Sequence, residues 1–284
     1  MYYLFVLGSV LSLILPRRFC YVLAKFLATY QFYISRKDRE AVIYNLSAIF
    51  DDRKVRRKCA KEVFINFAYY LVDFFKYPKL NPDFIKKYVK ISGLENLDDC
   101  LSQHKGAIAL TAHLGNYELA AAVTASFDYA LSVIALPHKD QRLNRFFDKR
   151  RQAAGMKVIS TGVAIKSCFW ALQRGELLAL LGDRDFSGKG IKFKMFSRWA
   201  YFPRGAAFFA CKTNASIVPA FLIRKNKYFY HLYFEKPIVS GRDGFRSEAD
   251  LIKQYIRVLE SYIKKYPNQW YIFEKYWLSE ENAK

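Results

Sequence analysis

Apolar positions along this chain follow two rhythms. Residues 2–15 form an uncharged apolar run, and after Pro16, Arg17 and Arg18 a second aromatic and apolar stretch, residues 19–34, contains Lys25 as its single charge. From residue 36 to about 77 the spacing is helical, with Val42, Ile43, Leu46 and Phe50 on one stripe. Val63, Phe64, Phe67, Tyr70, Leu71, Phe74 and Phe75 make another, and Pro78 and Pro82 close the region. Beyond them short apolar runs alternate with amphipathic ones. Residues 88–91, 107–110, 131–136, 158–159, 177–181, 217–223 and 228–234 predict strands. Residues 116–126, 141–155, 163–174, 205–213 and 247–266 predict helices, and residues 193–203 alternate apolar with polar. Strands alternating with helices predict an α/β fold: a mixed, largely parallel central sheet flanked by helices.

With 284 residues and no Gly/Ser/Pro linker, the pattern predicts one main domain, residues 36–284, carrying a helical extension, residues 1–35. As a helix, residues 2–15 would span about 21 Å, short of the roughly 30 Å hydrocarbon core of a bilayer. Arginines that follow the apolar run, with no small-residue cleavage site, argue against a secretory signal. The reading this favours is attachment at a membrane interface, the basic residues meeting lipid headgroups; a buried hairpin of a soluble protein is the alternative.

Charge sharpens that expectation. Lys and Arg total 46 against 25 Asp and Glu, a net +21, which draws the chain toward nucleic acid, an anionic bilayer or an acidic partner. No zinc-finger, RNA-recognition or basic-zipper pattern supports nucleic acid. Cys20, Cys59, Cys100, Cys168 and Cys211 are scattered and form no Cys-x-x-Cys pair, which argues against a disulfide framework or structural zinc and suits a reducing compartment. No Walker or Gly-x-Gly-x-x-Gly motif and no His-x3-His or His/Cys cluster occurs, so neither nucleotide chemistry nor a metal is expected.

The candidate chemistry lies where a strand turns into a helix, the place at which α/β sheets collect reactive groups. His113 follows the strand at 107–110, and Glu118 lies five positions on in the first turn of the next helix. A histidine there can take a proton from a hydroxyl if a carboxylate fixes its tautomer, and Glu118 is within reach to fold back and do so. The competing reading has Asn116 capping the helix and Glu118 merely suiting its positive first turn. Gly115 permits close approach of backbone or substrate. A second loop, Asp183-Arg184-Asp185 with Gly188 and Gly190, follows the strand at 177–181 and falls at the same sheet edge. It suits an anionic headgroup or an internal ion pair. Arg204, after Pro203 at a helix start, is placed for a phosphate, and Arg150 and Arg151 close a basic helix that would aim one of them into the crevice. His104, His138 and His231 are assigned no chemistry.

In this order the pieces resemble the bacterial lipid A biosynthesis acyltransferases, the lauroyl/myristoyl branch of the lysophospholipid acyltransferase superfamily. The resemblance covers nearly the whole chain. It rests on His113-Leu-Gly-Asn-Tyr-Glu118, on Arg151 to Gly155, on Asp183-Arg-Asp185 with Gly188 and Gly190, and on Phe202-Pro-Arg-Gly205. Ile217-Val-Pro-Ala220, Pro267-Asn-Gln-Trp270 and Trp277 extend it. It implies a glycerolphosphate acyltransferase-like fold, His113 as general base with Glu118 as partner, an arginine near Arg151 and the Asp183 loop shaping the site, and an N-terminal membrane anchor. Enteric lipid A enzymes tend to carry Asp-Gln where this chain has Asp183-Arg184, and the Asp-Arg-Asp form is similar to actinobacterial phosphatidylinositol mannoside acyltransferases.

The expectation is an O-acyltransferase without cofactor, at the cytoplasmic face of the bacterial inner membrane. It would move an acyl chain from acyl carrier protein or coenzyme A to a hydroxyl of a membrane glycolipid, a lipid A precursor first. Backbone N–H groups around Gly115, or an arginine, would receive the oxyanion. A phosphatidylinositol mannoside-type glycolipid or a lysophospholipid is the alternative acceptor. A non-catalytic basic protein, binding a membrane surface or nucleic acid, is the alternative from another class.

Overall fold

The computed structural model describes residues 2–136, 139–160, 164–239 and 247–279. Four helical segments come first: α1 (Tyr2–Ile14), α2 (Arg17–Ile34), α3 (Arg36–Asn45) and α4 (Arg53–Phe75). The helical pattern over 36–77 is thus split, by a 3-10 turn at Leu46–Ala48 and by Asp52, whose carboxylate caps α4 through the Lys54 N–H. A short helix, α5 (Pro82–Tyr88), stands where two prolines suggested only a break. Pro82 opens it at a position whose N–H has no intrahelical partner anyway, and the Asn81 side chain caps it.

The rest alternates as the pattern predicts, apart from α6, which the pattern did not mark: β1 (Val89–Ser92), α6 (Leu94–Leu101), β2 (Ala107–Thr111), α7 (Tyr117–Ala125), β3 (Leu131–Ala135), α8 (Gln141–Ala153), β4 (Lys157–Ser160), α9 (Ala164–Gln173) and β5 (Leu177–Leu181). The alternating stretch at 193–203 belongs to an antiparallel hairpin, β6 (Ile191–Met195) and β7 (Arg198–Phe202). After it come α10 (Gly205–Thr213), β8 (Ser216–Arg224), β9 (Tyr230–Phe234) and α11 (Glu248–Lys265). The main sheet has the order β1-β9-β8-β2-β5-β3-β4, parallel except for the β8–β9 pair.

Both faces of this sheet are covered, which is why its central strands read as unbroken apolar runs. Every residue of β8 is buried. Along β2, Ile108 and Leu110 join the core beneath α9, α10 and α11, while Ala107 and Ala109 join the core beneath α5, α6 and α7.

The N-terminal helices carry two unlike faces. Tyr21, Ala24, Ala28 and Phe32 of α2 are buried with residues of α4. Outward, Leu4, Leu7 and Ile14 of α1 and Phe19, Val22 and Phe26 of α2 are exposed. Among the described residues no helix is long and apolar enough to cross a membrane. The boundary expected at residue 35 falls between α2 and α3, both of which pack on α4.

Candidate active site

The register of two neighbouring parallel strands builds the centre of the site. Thr111, the last residue of β2, lies opposite Leu181, the last residue of β5. Two residues beyond each end stand His113 and Asp183, and the equal overhang brings them face to face. His113 Nδ1 lies 2.9 Å from Asp183 Oδ1, and the His113 backbone N–H donates to Oδ2 at 3.0 Å.

Asp183 is completely buried. The Trp270 indole N–H donates to Oδ2 at 3.1 Å, and the Tyr276 hydroxyl donates to the Asp183 carbonyl at 2.5 Å. Burial pushes this carboxyl up, but the charge and two hydrogen bonds of His113, with the bond from Trp270, outweigh it and hold it below the usual carboxylate range. An ionised carboxylate only accepts, so the Nδ1 of His113 carries a proton, and in the neutral ring this leaves the lone pair on Nε2. That is the tautomer a general base requires.

Glu118 does not hold His113. It follows Tyr117, the first residue of α7, and a step of one residue turns a helical side chain by about 100°. Tyr117 therefore lies beside His113, ring centroids 5.5 Å apart, while Glu118 faces α8. There Arg151 grips it with a fork of bonds, Nη2 to Oε1 at 2.6 Å and Nε to both oxygens at 3.1 Å. Burial depresses the basicity of Arg151, but the adjacent Glu118 more than restores it, so this cation is permanent. Of the two arginines that close α8, Arg151 is the one that turns toward α7. Arg150 instead reaches the Phe75 carbonyl at 3.4 Å and the Ser9 hydroxyl, and stacks on Phe146.

The residues between His113 and Glu118 form a scaffold rather than a ligand surface. Gly115 has φ +65°, and a Cβ there would come within 2.2 Å of the Leu222 carbonyl oxygen, so its smallness serves the approach of β8 and not of substrate. Its N–H donates to the Gln269 carbonyl at 2.9 Å, and the Asn116 N–H donates to the Leu222 carbonyl at 2.8 Å. These donors are taken, which removes them as an oxyanion hole. Buried Asn116 caps α7 through the Leu119 N–H at 3.1 Å and donates from its amide to Asp73 Oδ2 at 3.1 Å.

Asp73, on α4, is another buried carboxylate near this site. Arg17 reaches it at 3.2 Å and Arg224 at 2.7 Å, while Tyr21 and Tyr230 donate hydroxyls. Burial alone would raise this carboxyl, yet the two guanidiniums and two hydroxyls keep it low. Through Arg17 and Asn116 the start of α2 is tied to the loop that carries His113.

The remaining candidates scatter. Arg184 pairs with Glu274 and stacks 4.4 Å from the ring of Phe186, itself 6.1 Å from the His113 ring, so it stands in the wall beside the histidine. Asp185 closes its own loop, accepting from the Ser187 and Gly190 N–H groups at 3.0 and 2.9 Å. Arg204 is taken by Glu248 of α11 at 2.8 Å. His231 lies on β9 with Nε2 2.8 Å from Ser92 Oγ, His104 sits in the turn after α6, and His138 lies outside the described residues. All five cysteines are free thiols. Among the described residues no cluster of three potential ligands could hold a metal.

Comparison with known proteins decides what this geometry belongs to. The family model described as bacterial lipid A biosynthesis acyltransferase matches residues 1–279. The chain belongs to this family. A phosphatidylinositol mannoside acyltransferase of Mycobacterium tuberculosis is 22% identical over 228 residues, covering 76% of this chain and 69% of that protein. A lipid A biosynthesis palmitoleoyltransferase of Escherichia coli is 21% identical over 189 residues, covering 66% of this chain and 60% of that protein. Membership makes the chain an acyltransferase of the glycolipid class. Sequence reasoning placed Asp183 in the loop beside His113 but not on its Nδ1, and it overlooked Asp73, Arg17, Arg224, Trp270 and Tyr276 as supports. The signal for Asp183 was present: two apolar runs, 107–110 and 177–181, each followed within three residues by a chemically active side chain.

Proposed function

We propose that this protein transfers a fatty acyl chain from a thioester, carried by acyl carrier protein or coenzyme A, directly to a hydroxyl of a lipid A precursor. His113 Nε2 takes the hydroxyl proton as the oxygen attacks the thioester carbonyl. The tetrahedral adduct then collapses, the ester forms, and the departing thiolate takes the proton back from the imidazolium. Asp183 holds the imidazole in orientation and steadies its positive charge, the part the sequence had given to Glu118. The Glu118–Arg151 pair braces α7 against α8, and Arg184 is the cation best placed for the oxyanion or an anionic group of the acceptor. No cofactor takes part. The exposed faces of α1 and α2 would lie in the cytoplasmic leaflet of the inner membrane, and the +21 charge would attract an acidic carrier and a phosphorylated lipid.

The observation that carries this reading is the pairing of His113 with the buried Asp183 in a chain of this family. In detergent, the purified protein should transfer labelled acyl chains to a glycolipid, and His113→Ala should lose about 10²–10⁴-fold in rate. Transfer at the wild-type rate by His113→Ala would overturn the mechanism. A second reading replaces the acceptor by a phosphatidylinositol mannoside-type glycolipid, favoured because relatives of that name cover more of this chain, 76% against 66%. Competition between the two acceptors in one assay decides between them.

A further inference from the structure

Beneath the turn that joins α1 to α2 lies a cavity of about 200 Å³. Neither His113 nor Asp183 lines it. Arg17, Lys76 and Lys79 stand in its wall beside Asp73, and Leu80, Phe84 and Tyr88 supply an apolar side. Its charge is out of balance. Asp73 is shared by Arg17 and Arg224, and neither Lys76 nor Lys79 is ion-paired among the described residues. Lys76 donates to the carbonyls of Ser12 and Leu15, and Lys79 to that of Leu13 at 2.6 Å. An ammonium has three protons, so one remains on Lys76 and two on Lys79. Burial first, and then the nearby cations Lys79 and Arg17, pushes Lys76 down. Just above, α2 begins without a side-chain cap and without an acidic residue in its first turn, which adds a further preference for an anion.

We propose that this cavity binds the phosphate of an anionic membrane lipid, the lysines and the start of α2 holding the phosphate and Leu80, Phe84 and Tyr88 lying along the first carbons of the lipid. The assignment of a lipid source rests on the reading that the exposed hairpin lies in the bilayer, since the α1–α2 turn then brings the cavity to headgroup depth. The volume suits it: at about 30 Å³ per water, it has room for a phosphate with its glycerol but not for an acyl chain.

The full-length protein is titrated with dihexanoyl phosphatidate, dihexanoyl phosphatidylcholine and inorganic phosphate at one ionic strength, with heat of binding and melting temperature as readouts. Phosphatidate should bind and raise the melting temperature, and phosphatidylcholine should not. Lys79→Gln should weaken phosphatidate about tenfold, the scale of one charge-assisted bond. The glutamine amide can still donate to Leu13, so α1 remains docked. Lys54→Gln, an equal loss of charge at the far end of α4, should change affinity less than twofold. Equal losses in the two variants would reduce the effect to general electrostatics and overturn the site. Inorganic phosphate binding as tightly as phosphatidate would overturn the lipid assignment. Flotation on phosphatidylcholine/phosphatidylglycerol vesicles separates the two claims. Failure of wild-type protein to float would overturn membrane docking, whereas a selective Lys79→Gln defect toward phosphatidate would sustain the site.

Discussion

Asp73 and Asp183 are both buried carboxylates held below the usual range, yet they keep different company. Asp73 is surrounded by groups whose charge never changes at physiological pH: two arginines, two tyrosine hydroxyls and an asparagine amide. Asp183 faces a histidine, the one side chain built to gain and lose a proton near neutrality. Trp270 and Tyr276 fix Asp183 from behind without supplying a compensating cation. The first arrangement can only hold parts together; the second can pass a proton and return to its starting state. The same contrast disqualifies the Glu118–Arg151 pair as proton chemistry, because Arg151 does not titrate and Glu118 is tied to it by a fork of bonds.

The largest expected effect of breaking this contrast is on rate. Asp183→Asn should lower acyl transfer about 10²–10⁴-fold at unchanged fold, as circular dichroism would verify, because an asparagine amide no longer enforces the Nδ1–H tautomer. Asp73→Ala should act on stability instead. It leaves the buried Arg224 and the half-buried Arg17 uncompensated, a loss of about 3–5 kcal/mol, or roughly 10 °C in melting temperature. Turnover of the protein that remains folded should change far less than in Asp183→Asn. A large rate loss in Asp73→Ala at full folding would erase the distinction.

Acid should weaken both carboxylate clusters. Their folded pKa values lie below the unfolded value near 3.9, so the stability they confer is present above about pH 4. It is lost as pH falls through the lower folded values. Melting temperature followed from pH 6 to pH 2.5 should fall on that limb, less steeply in either aspartate-to-asparagine variant. The smallest effect concerns Tyr77, whose buried hydroxyl has no hydrogen-bond partner among the described residues. Tyr77→Phe should leave stability unchanged or raise it by up to about 1 kcal/mol, which chemical denaturation would measure.

Most of the sheet was legible because its strands are apolar runs of strand length bounded by turn residues, a local property. The α5 helix was not, since Pro82 signals a break unless Asn81 is also read as its cap. The site was half legible. His113 announces itself by following an apolar run, but which carboxylate meets it depends on strand order. Glu118 is near in sequence, whereas Asp183 is near in space because β2 and β5 are adjacent, in parallel and in register to their last residues. Arg17, Asp73 and Arg224 lie on three elements distant in sequence and converge only after folding, so no spacing rule reveals them.

The central claim, that Asp183 and not Glu118 sets the state of His113, is tested most directly by nitrogen-15 NMR of histidine-labelled protein, the His113 signals assigned by loss in His113→Gln. The account predicts a single Nδ1–H tautomer in wild type and in Glu118→Gln, replaced in Asp183→Asn by a mixture or by the Nε2–H form. A wild-type tautomer that survives Asp183→Asn and is lost in Glu118→Gln would contradict it.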